Sequence, residues 1–286
     1  LSKYFKLNPH DRSLFIMCGM SGLVTVLFGT PLTATFFALE VISVGVIYYV
    51  ALVPCILSSV VAYNVALVFG VTPVKFVNAV MQQLDILTLI RVIILSILCA
   101  LVSIIFCMAI KYFSNFAEKK IPNSYIRSFV GGCIIILLTL IVHTNDYNGA
   151  GMDVISRAID GNANLEAFVL KIIFTVITIS SGFKGGEIVP SFCIGATLGC
   201  AMGHLVGFEP RLCAACGMIA FFCGVTNCPI TSMLIAFELF GFEGVSYFLI
   251  AIAVSYATSG YYGLYKDQTI VYSKYKAKFV NQKTRS

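Results

Sequence analysis

Long apolar runs separated by short polar connections dominate the chain. A helix that crosses a bilayer needs about 20 apolar residues, and several of these runs are shorter or are divided only by Gly and Pro. The pattern therefore predicts an all-α membrane protein that crosses the bilayer several times, with some of its helices broken. The apolar runs cover residues 13–30, 31–53, 55–70, 86–113, 126–143, 166–181, 188–207, 212–225, 229–240 and 245–265.

The polar connections fall at residues 73–85, 114–125 and 144–165. The last of them, TNDYNGAGMDVISRAIDGNANL, is too polar to face lipid. We expect it to form either a loop or a short helix that the rest of the protein shields.

One apolar segment occurs twice. Residues 18–40 (CGMSGLVTVLFGTPLTATFFALE) align without a gap with residues 216–238 (CGMIAFFCGVTNCPITSMLIAFE), and seven of the 23 positions are identical. Such a repeat indicates a membrane protein built from two related halves. Membrane proteins built in this way usually carry solutes through the interface between the halves.

Both copies of the repeat share the same order of features. A helix ends at a polar break, and a proline (Pro31 or Pro229) then restarts a helix at its first position. Each new helix ends near a glutamate, Glu40 or Glu238. We expect both glutamates to be structural, bonding nearby backbone, with ion handling as the alternative. The exposed N–H groups at each restart carry partial positive charge.

Composition supports the membrane assignment. The chain has 286 residues, of which 59% are hydrophobic and only 11% charged, and its mean hydropathy is +0.93. Soluble domains contain about 25% charged residues. The first residue is Leu1, and the repeat begins soon after it. We therefore expect residues 1–265 to be the C-terminal part of a membrane domain whose N-terminal part is absent.

The net charge of +6 arises largely at the end of the chain. Residues 266–286 are predicted to form a basic cytoplasmic tail, by the positive-inside rule, near anionic lipid. No nucleic-acid partner is expected. The charged residues of this tail are Lys266, Lys274, Lys276, Lys278, Lys283 and Arg285, opposed by Asp267.

The segment GFKGGEIVPSFCIGATLGCAMG, residues 182–203, carries the candidate chemistry. Gly185 and Gly186 form a flexible approach, and Pro190 signals a helix start. The backbone N–H groups of Glu187, Ile188 and Val189 are then predicted to point away from the helix. Such amides, together with the helix dipole, can bind an anion without a lysine.

Two side chains add to this candidate site. Glu187 is a carboxylate at membrane depth with Lys184 as its only evident partner, which makes it a candidate proton relay, with simple helix capping as the alternative. Tyr265 offers a neutral hydroxyl donor for an anion, whereas spacing alone favours an interfacial aromatic belt for Tyr261, Tyr262 and Tyr265.

These segments resemble the CLC family of chloride channels and anion/proton antiporters over nearly the whole chain. GGEIVPSFCIGATLGCAMG resembles the family's G-G-x-F-x-P motif and the glycine-rich helix after it, and GLYK (residues 263–266) aligns with its P-L-Y-S motif. The resemblance implies a fold of inverted repeats with broken, tilted helices and a homodimer. It also implies that the amides of Ile188 and Val189 and the hydroxyl of Tyr265 bind the central anion.

Departures from the family pattern bear on the substrate. Glu187 makes the motif more similar to the fluoride/proton antiporter branch, although that branch has Thr where this chain has Val189. The chloride/proton antiporters have a second glutamate that accepts protons, and Val41 stands in its place. The family's gating glutamate would precede Leu1.

The favoured function is therefore transport of fluoride or chloride across the cell membrane, as an anion/proton antiporter, without cofactor or metal. A chloride channel without proton coupling is the first alternative. A transporter of cations or organic solutes is less well supported, because few acidic residues are available. An intramembrane enzyme is the remote alternative, since Gly149-Ala-Gly151-Met-Asp153 only loosely resembles a protease motif.

Overall fold

The computed structural model describes residues 8–76 and 85–285 of the chain. Helices predominate in these ranges, in agreement with the predicted all-α fold. The polar connection at 73–85 lies largely outside the described residues. Within them, five helical segments are long and apolar enough to cross a bilayer: Pro9–Phe28, Tyr49–Val68, Ile86–Lys120, Ser124–Val142 and Ile188–Val206.

The chain divides into two compact units. The first is drawn from residues 1–77, 228–242 and 267–283, and the second from residues 78–227, 243–266 and 284–286. The first unit contains α1 (Pro9–Phe28), α2 (Pro31–Glu40), β1 (Ser43–Val44), α3 (Leu52–Val68), α10 (Pro229–Phe240), β2 (Thr269–Tyr272) and β3 (Phe279–Lys283). The second contains α4 (Ile86–Lys120), α5 (Ser124–Val142), α6 (Met152–Ile159), α7 (Ala167–Ser180), α8 (Ile188–Val206), α9 (Pro210–Thr226) and α11 (Val245–Thr258).

The predicted breaks in the two repeats are present. Helix α1 ends before Gly29, which has a φ of 70°, and α9 ends before Asn227, which has a φ of 58°. Both residues therefore adopt the left-handed conformation that commonly ends a helix. Pro31 and Pro229 each occupy the first position of the helix that follows.

The glutamate at the end of each repeat caps the helix of the other repeat. The Glu40 carboxylate accepts hydrogen bonds from the N–H of Ile230 (3.1 Å) and from the N–H (2.8 Å) and hydroxyl (2.7 Å) of Thr231. Glu238 accepts the corresponding bonds from the N–H of Leu32 (3.0 Å) and from the N–H (2.8 Å) and hydroxyl of Thr33.

These two caps fix the relative orientation of α2 and α10. Each carboxylate lies near the C-terminal end of its own helix and at the N-terminal end of the other, so the two helices lie side by side and antiparallel. Equivalent repeat positions make equivalent bonds, which gives this part of the first unit a local two-fold relation. The expectation that Glu40 and Glu238 bond backbone is confirmed, but the backbone belongs to the opposite repeat.

Some boundaries differ from those of the apolar runs. The run 31–53 is interrupted after Glu40 by β1 and a short 3₁₀ turn (Tyr49–Ala51), whereas Pro54 lies inside the first turn of α3. Proline is tolerated in a first turn because no intrahelical bond is lost there. The run 245–265 extends beyond its helix, since α11 ends at Thr258.

A small sheet is the exception to the helical fold. Strand β1 pairs in parallel with β2, and β2 pairs antiparallel with β3. The Gln268 side-chain amide donates to the Val41 carbonyl (2.9 Å), and the exposed Lys283 ammonium holds the pKa of the Asp267 carboxyl below its usual range. Residues 269–283, which fall in the predicted tail, thus contain two strands, of which β2 pairs with residues just after α2.

In the second unit, α8 and α9 form a closely packed antiparallel pair. A Cβ atom on Gly195 would lie 2.6 Å from the Gly217 carbonyl oxygen, and one on Gly203 would lie 2.7 Å from the Pro210 Cα atom. A Cβ atom on Gly199 would lie closer still to the Cys213 carbonyl oxygen. The three glycines recur every four residues, a spacing typical of a face that packs against another membrane helix, and in the structure this face packs against α9.

The polar connection 144–165 contains a short shielded helix, one of its two predicted forms. Helix α6 buries Val154, Ile155, Ala158 and Ile159 and packs on α8 and α9. Its polar side faces outward, where Arg157 pairs with Asp146 at 2.5 Å.

We expect the Glu40→Gln variant to unfold more readily than the parent protein. An amide offers one acceptor oxygen to three donors and turns an NH₂ group toward one of them, at a cost of about 1–3 kcal/mol. Most of the cysteines are buried, so a thiol-reactive dye can report thermal unfolding in detergent. The Glu243→Gln variant is the control, because Glu243 is exposed. Equal midpoints for the two variants would contradict the proposed role of the cap.

Candidate functional site

The segment that leads into α8 is open, as its glycines predict. Residues 183–187 have no helical structure, and Gly185 and Gly186 are exposed with open space around both Cα atoms. The preceding turn is anchored, because the Ser128 hydroxyl donates to the Ser181 carbonyl at 3.0 Å. Gly185 and Gly186 therefore have open space around them, while the turn that precedes them is held by α5.

Helix α8 begins at Ile188, two residues before the predicted signal at Pro190. The Ser191 N–H donates to the Glu187 carbonyl (3.2 Å), which closes the first turn. An α-helix has no internal acceptors for its first N–H groups. Those of Ile188 and Val189 consequently point out of the helix end, and Pro190 has no N–H. No partner in the described part of the chain accepts a hydrogen bond from these two amides.

Glu187 stands at the N-cap of α8 and is half-buried. Its carboxylate is close enough to interact electrostatically with the Lys266 ammonium and with the Cys107 thiol of α4. The expected partner, Lys184, is exposed, and neither of the ion pairs formed among the described residues includes it. The structure thus brings Glu187 toward Lys266 instead.

The segment that carries Tyr265 is bound to the end of α9. The Leu264 N–H donates to the Val225 carbonyl (3.0 Å), and the Asn227 side-chain amide donates to the Tyr262 carbonyl (2.8 Å). From the other side, the Thr284 hydroxyl donates to the Tyr265 carbonyl at 2.6 Å. The backbone of residues 262–265 is therefore fixed in position, and Tyr265 itself is half-buried.

The α8–α9 pair brings these two segments to one end of the second unit. Because the helices are antiparallel, the start of α8 lies beside the end of α9, where the rings of Phe192 and Phe222 are 4.8 Å apart. The Tyr265 segment is bonded to that same end of α9. The predicted amides and the predicted tyrosine segment are thus neighbours, joined through α9.

Sequence reasoning missed two residues that position Tyr265. Asn227 is fully buried in a left-handed conformation, and its side chain holds the Tyr262 carbonyl. Thr284 belongs to the predicted tail and holds Tyr265 directly. The only sequence signal was the Thr-Asn-Cys break before Pro229, which indicated a helix end but not its partner.

The residues of the enzyme alternative do not form a comparable centre. Asp153, the carboxylate of that motif, is exposed in the first turn of α6, and the acidic residue that precedes the motif, Asp146, is engaged with Arg157. Over residues 8–76 and 85–285 there is no group of His, Cys, Asp and Glu side chains suited to hold a metal ion.

Comparison with known proteins gives a consistent result. A sequence model of the family described as "Voltage gated chloride channel" matches residues 1–260. The chain is 32% identical over 281 residues to the Chloride/fluoride channel protein of Pseudomonas syringae pv. tomato, which covers 96% of this chain and 62% of that protein. It is 26% identical over 259 residues to the H(+)/Cl(-) exchange transporter ClcA of Vibrio cholerae, which covers 84% of this chain and 54% of the transporter.

The fold also matches a solved structure. A crystal structure described as a CLC-type fluoride/proton antiporter superposes with a TM-score of 0.84 at 30% sequence identity, covering 89% of this chain and 65% of that chain. The chain thus spans about half to two thirds of the length of these proteins.

Proposed function

Because the chain belongs to the voltage-gated chloride channel family, we propose that it carries a halide anion, fluoride or chloride, across the cell membrane in exchange for protons. The observation that carries this proposal is the uncapped start of α8. The N–H groups of Ile188 and Val189 have no acceptor in the described chain, and the Tyr265 segment lies at the same end of the second unit.

The contrast with the other two helix starts supports an external ligand. The N–H groups that begin α2 and α10 are satisfied by Glu238 and Glu40. Those that begin α8 carry the same partial positive charge but have no carboxylate on them. A small anion would supply the missing acceptor.

The chemistry of this site suits an ion that must leave again. Amide dipoles and a tyrosine hydroxyl stabilise an anion without a full opposing charge, and conduction requires that binding stay weak enough for release. In this proposal Glu187, Ile188 and Val189 present backbone amides, Tyr265 presents its hydroxyl, and Gly185, Gly186 and Pro190 shape the helix start.

Glu187 is the proposed proton relay. It is half-buried beside the anion site, and the Lys266 ammonium interacts with it. A carboxylate in this position can exchange a proton while the anion moves nearby.

A chloride channel without proton coupling remains the second candidate, for a specific reason. The residue after Glu40 is Val41, where the resemblance implies a proton-accepting glutamate in chloride/proton antiporters. Glu40 cannot easily replace it, because its carboxylate already accepts three hydrogen bonds.

The proposed assembly is a homodimer in the lipid bilayer with a cytoplasmic C-terminus. The C-terminal segment carries six cations and one acidic residue, which supports the cytoplasmic side by the positive-inside rule. The dimer rests on the family resemblance.

The transport proposal predicts coupled ion movement. When the protein at its full natural length is reconstituted in liposomes loaded with fluoride, we expect fluoride efflux together with proton influx, and slower chloride efflux. Ion-selective electrodes and a pH dye record the three ions together. Fluoride efflux without proton movement would support the channel instead, and chloride outrunning fluoride would reject the fluoride assignment.

The backbone of Val189 can be tested directly. Incorporating the α-hydroxy acid of valine replaces its N–H by an ester oxygen, and we expect halide affinity to fall roughly 10-fold or more, since a hydrogen bond to a charged group contributes about 1.5–3 kcal/mol. Calorimetric titration measures the affinity. The same exchange at Ser191 is the control, because its N–H is used within α8. An equal loss at both positions would argue against a specific contact.

Transport and enzyme functions predict opposite effects of two substitutions. We expect Tyr265→Phe to slow halide flux at least about tenfold through loss of one donor, and Asp153→Asn to leave flux unchanged because Asp153 is exposed on α6. Flux assays in liposomes measure both. Full activity of Tyr265→Phe would remove this hydroxyl from the proposed site.

A further inference from the structure

A lysine lies buried in the second unit, and no acidic side chain of the described residues pairs with it. Lys171, on α7, has only 1% of its surface exposed. Its ammonium donates hydrogen bonds to the carbonyls of Gly149 (2.8 Å) and Tyr147 (3.1 Å). Among the described residues, both salt bridges are made by other cations.

The acidic side chains nearest in sequence to these contacts are engaged or exposed. Asp146 pairs with Arg157, and Glu166 is exposed at the start of α7. Burying a charge is costly unless it is paired and hydrogen-bonded. Two carbonyls satisfy donors of Lys171 but do not neutralise it, so its positive charge remains available to act on an anion elsewhere.

The ammonium lies beside α8, a short way behind its start. A Cβ atom on Gly151 would be 3.1 Å from the Lys171 Nζ atom and 3.2 Å from the Cys193 Sγ atom, so the ammonium and the thiol are neighbours. Cys193 follows Ile188 by five residues, which is about 7–8 Å along a helix axis. Lys171 is therefore about one and a half turns from the free amides.

We propose that Lys171 is a fixed, buried positive charge that strengthens anion binding at the start of α8 without touching the anion. The inference rests on the proposed halide site. The carbonyls of Tyr147 and Gly149 hold the ammonium in place, and α8 separates it from the ion. The anion then experiences a steady attraction but is not held in a direct ion pair.

The size of the effect follows from distance and burial. Two unit charges about 10 Å apart at an effective dielectric constant of about 20 attract enough to change a dissociation constant roughly tenfold. An exposed lysine at a similar distance would do less, because water and salt screen it. Burial is what makes Lys171 effective.

The test compares Lys171→Gln, Lys171→Met and Lys171→Arg in the protein at its full natural length. Calorimetry measures fluoride and chloride affinity at constant ionic strength, and thiol-dye unfolding measures stability. We expect roughly tenfold weaker binding of both halides in the Gln and Met variants, an unchanged ratio between them, and near-normal binding in the Arg variant. Lys119→Met, at the exposed end of α4, is the control and should bind normally.

Each outcome decides a different point. Lys171→Gln keeps a donor for the Tyr147 and Gly149 carbonyls, so normal halide affinity in this variant would show that the lysine only anchors the loop, and would overturn the inference. The conclusion rests on this variant if Lys171→Met fails to fold. A parent protein that binds neither halide would overturn the proposed function and this inference together, whereas normal binding by both neutral variants would overturn the inference alone.

Discussion

A helix start leaves backbone N–H groups without an acceptor inside the helix, and this constraint accounts for much of the molecule. Three helices that follow breaks in apolar sequence, α2, α8 and α10, face it. The starts of α2 and α10 are closed permanently by Glu238 and Glu40. The start of α8 is left without an internal acceptor. The same electrostatic requirement is thus met by a glutamate at the starts of α2 and α10, and at the start of α8 it gives a proposed ion site.

The N–H groups at the starts of α2 and α10 stay capped because each capping carboxylate belongs to the other repeat. Thr33 and Thr231 occupy equivalent positions, and each supplies both its N–H and its hydroxyl to the opposite glutamate. A carboxylate that accepts three hydrogen bonds in a buried setting is strongly held. Glu40 therefore serves the fold, as the cap of α10.

Much of this arrangement could be predicted from the sequence, because it depends on local signals. The prolines at 31 and 229, the glycine spacing along α8 and the G-G-E-I-V-P segment each have a short-range meaning, and the helices start at or within two residues of those signals. The choice of partner could not be predicted. That Glu40 caps the opposite repeat, and that Thr284 holds Tyr265, depends on contacts between residues far apart in the chain. The pairing of β2 could not be predicted for the same reason, since its partner β1 lies just after α2, far away in the chain.

The position of the Lys171 side chain could not be predicted from the sequence pattern. A single lysine within an apolar run such as that of α7 is typical of a side chain that extends to the membrane surface. The structure instead turns it inward, onto the carbonyls of a polar connection that α6 and α7 enclose. Backbone carbonyls of Tyr147 and Gly149 accept hydrogen bonds from this buried cation, which an irregular segment can supply because its carbonyls are not used within a helix. A connection that is too polar for lipid and a lysine that is too charged for a core thus stabilise each other beside α8.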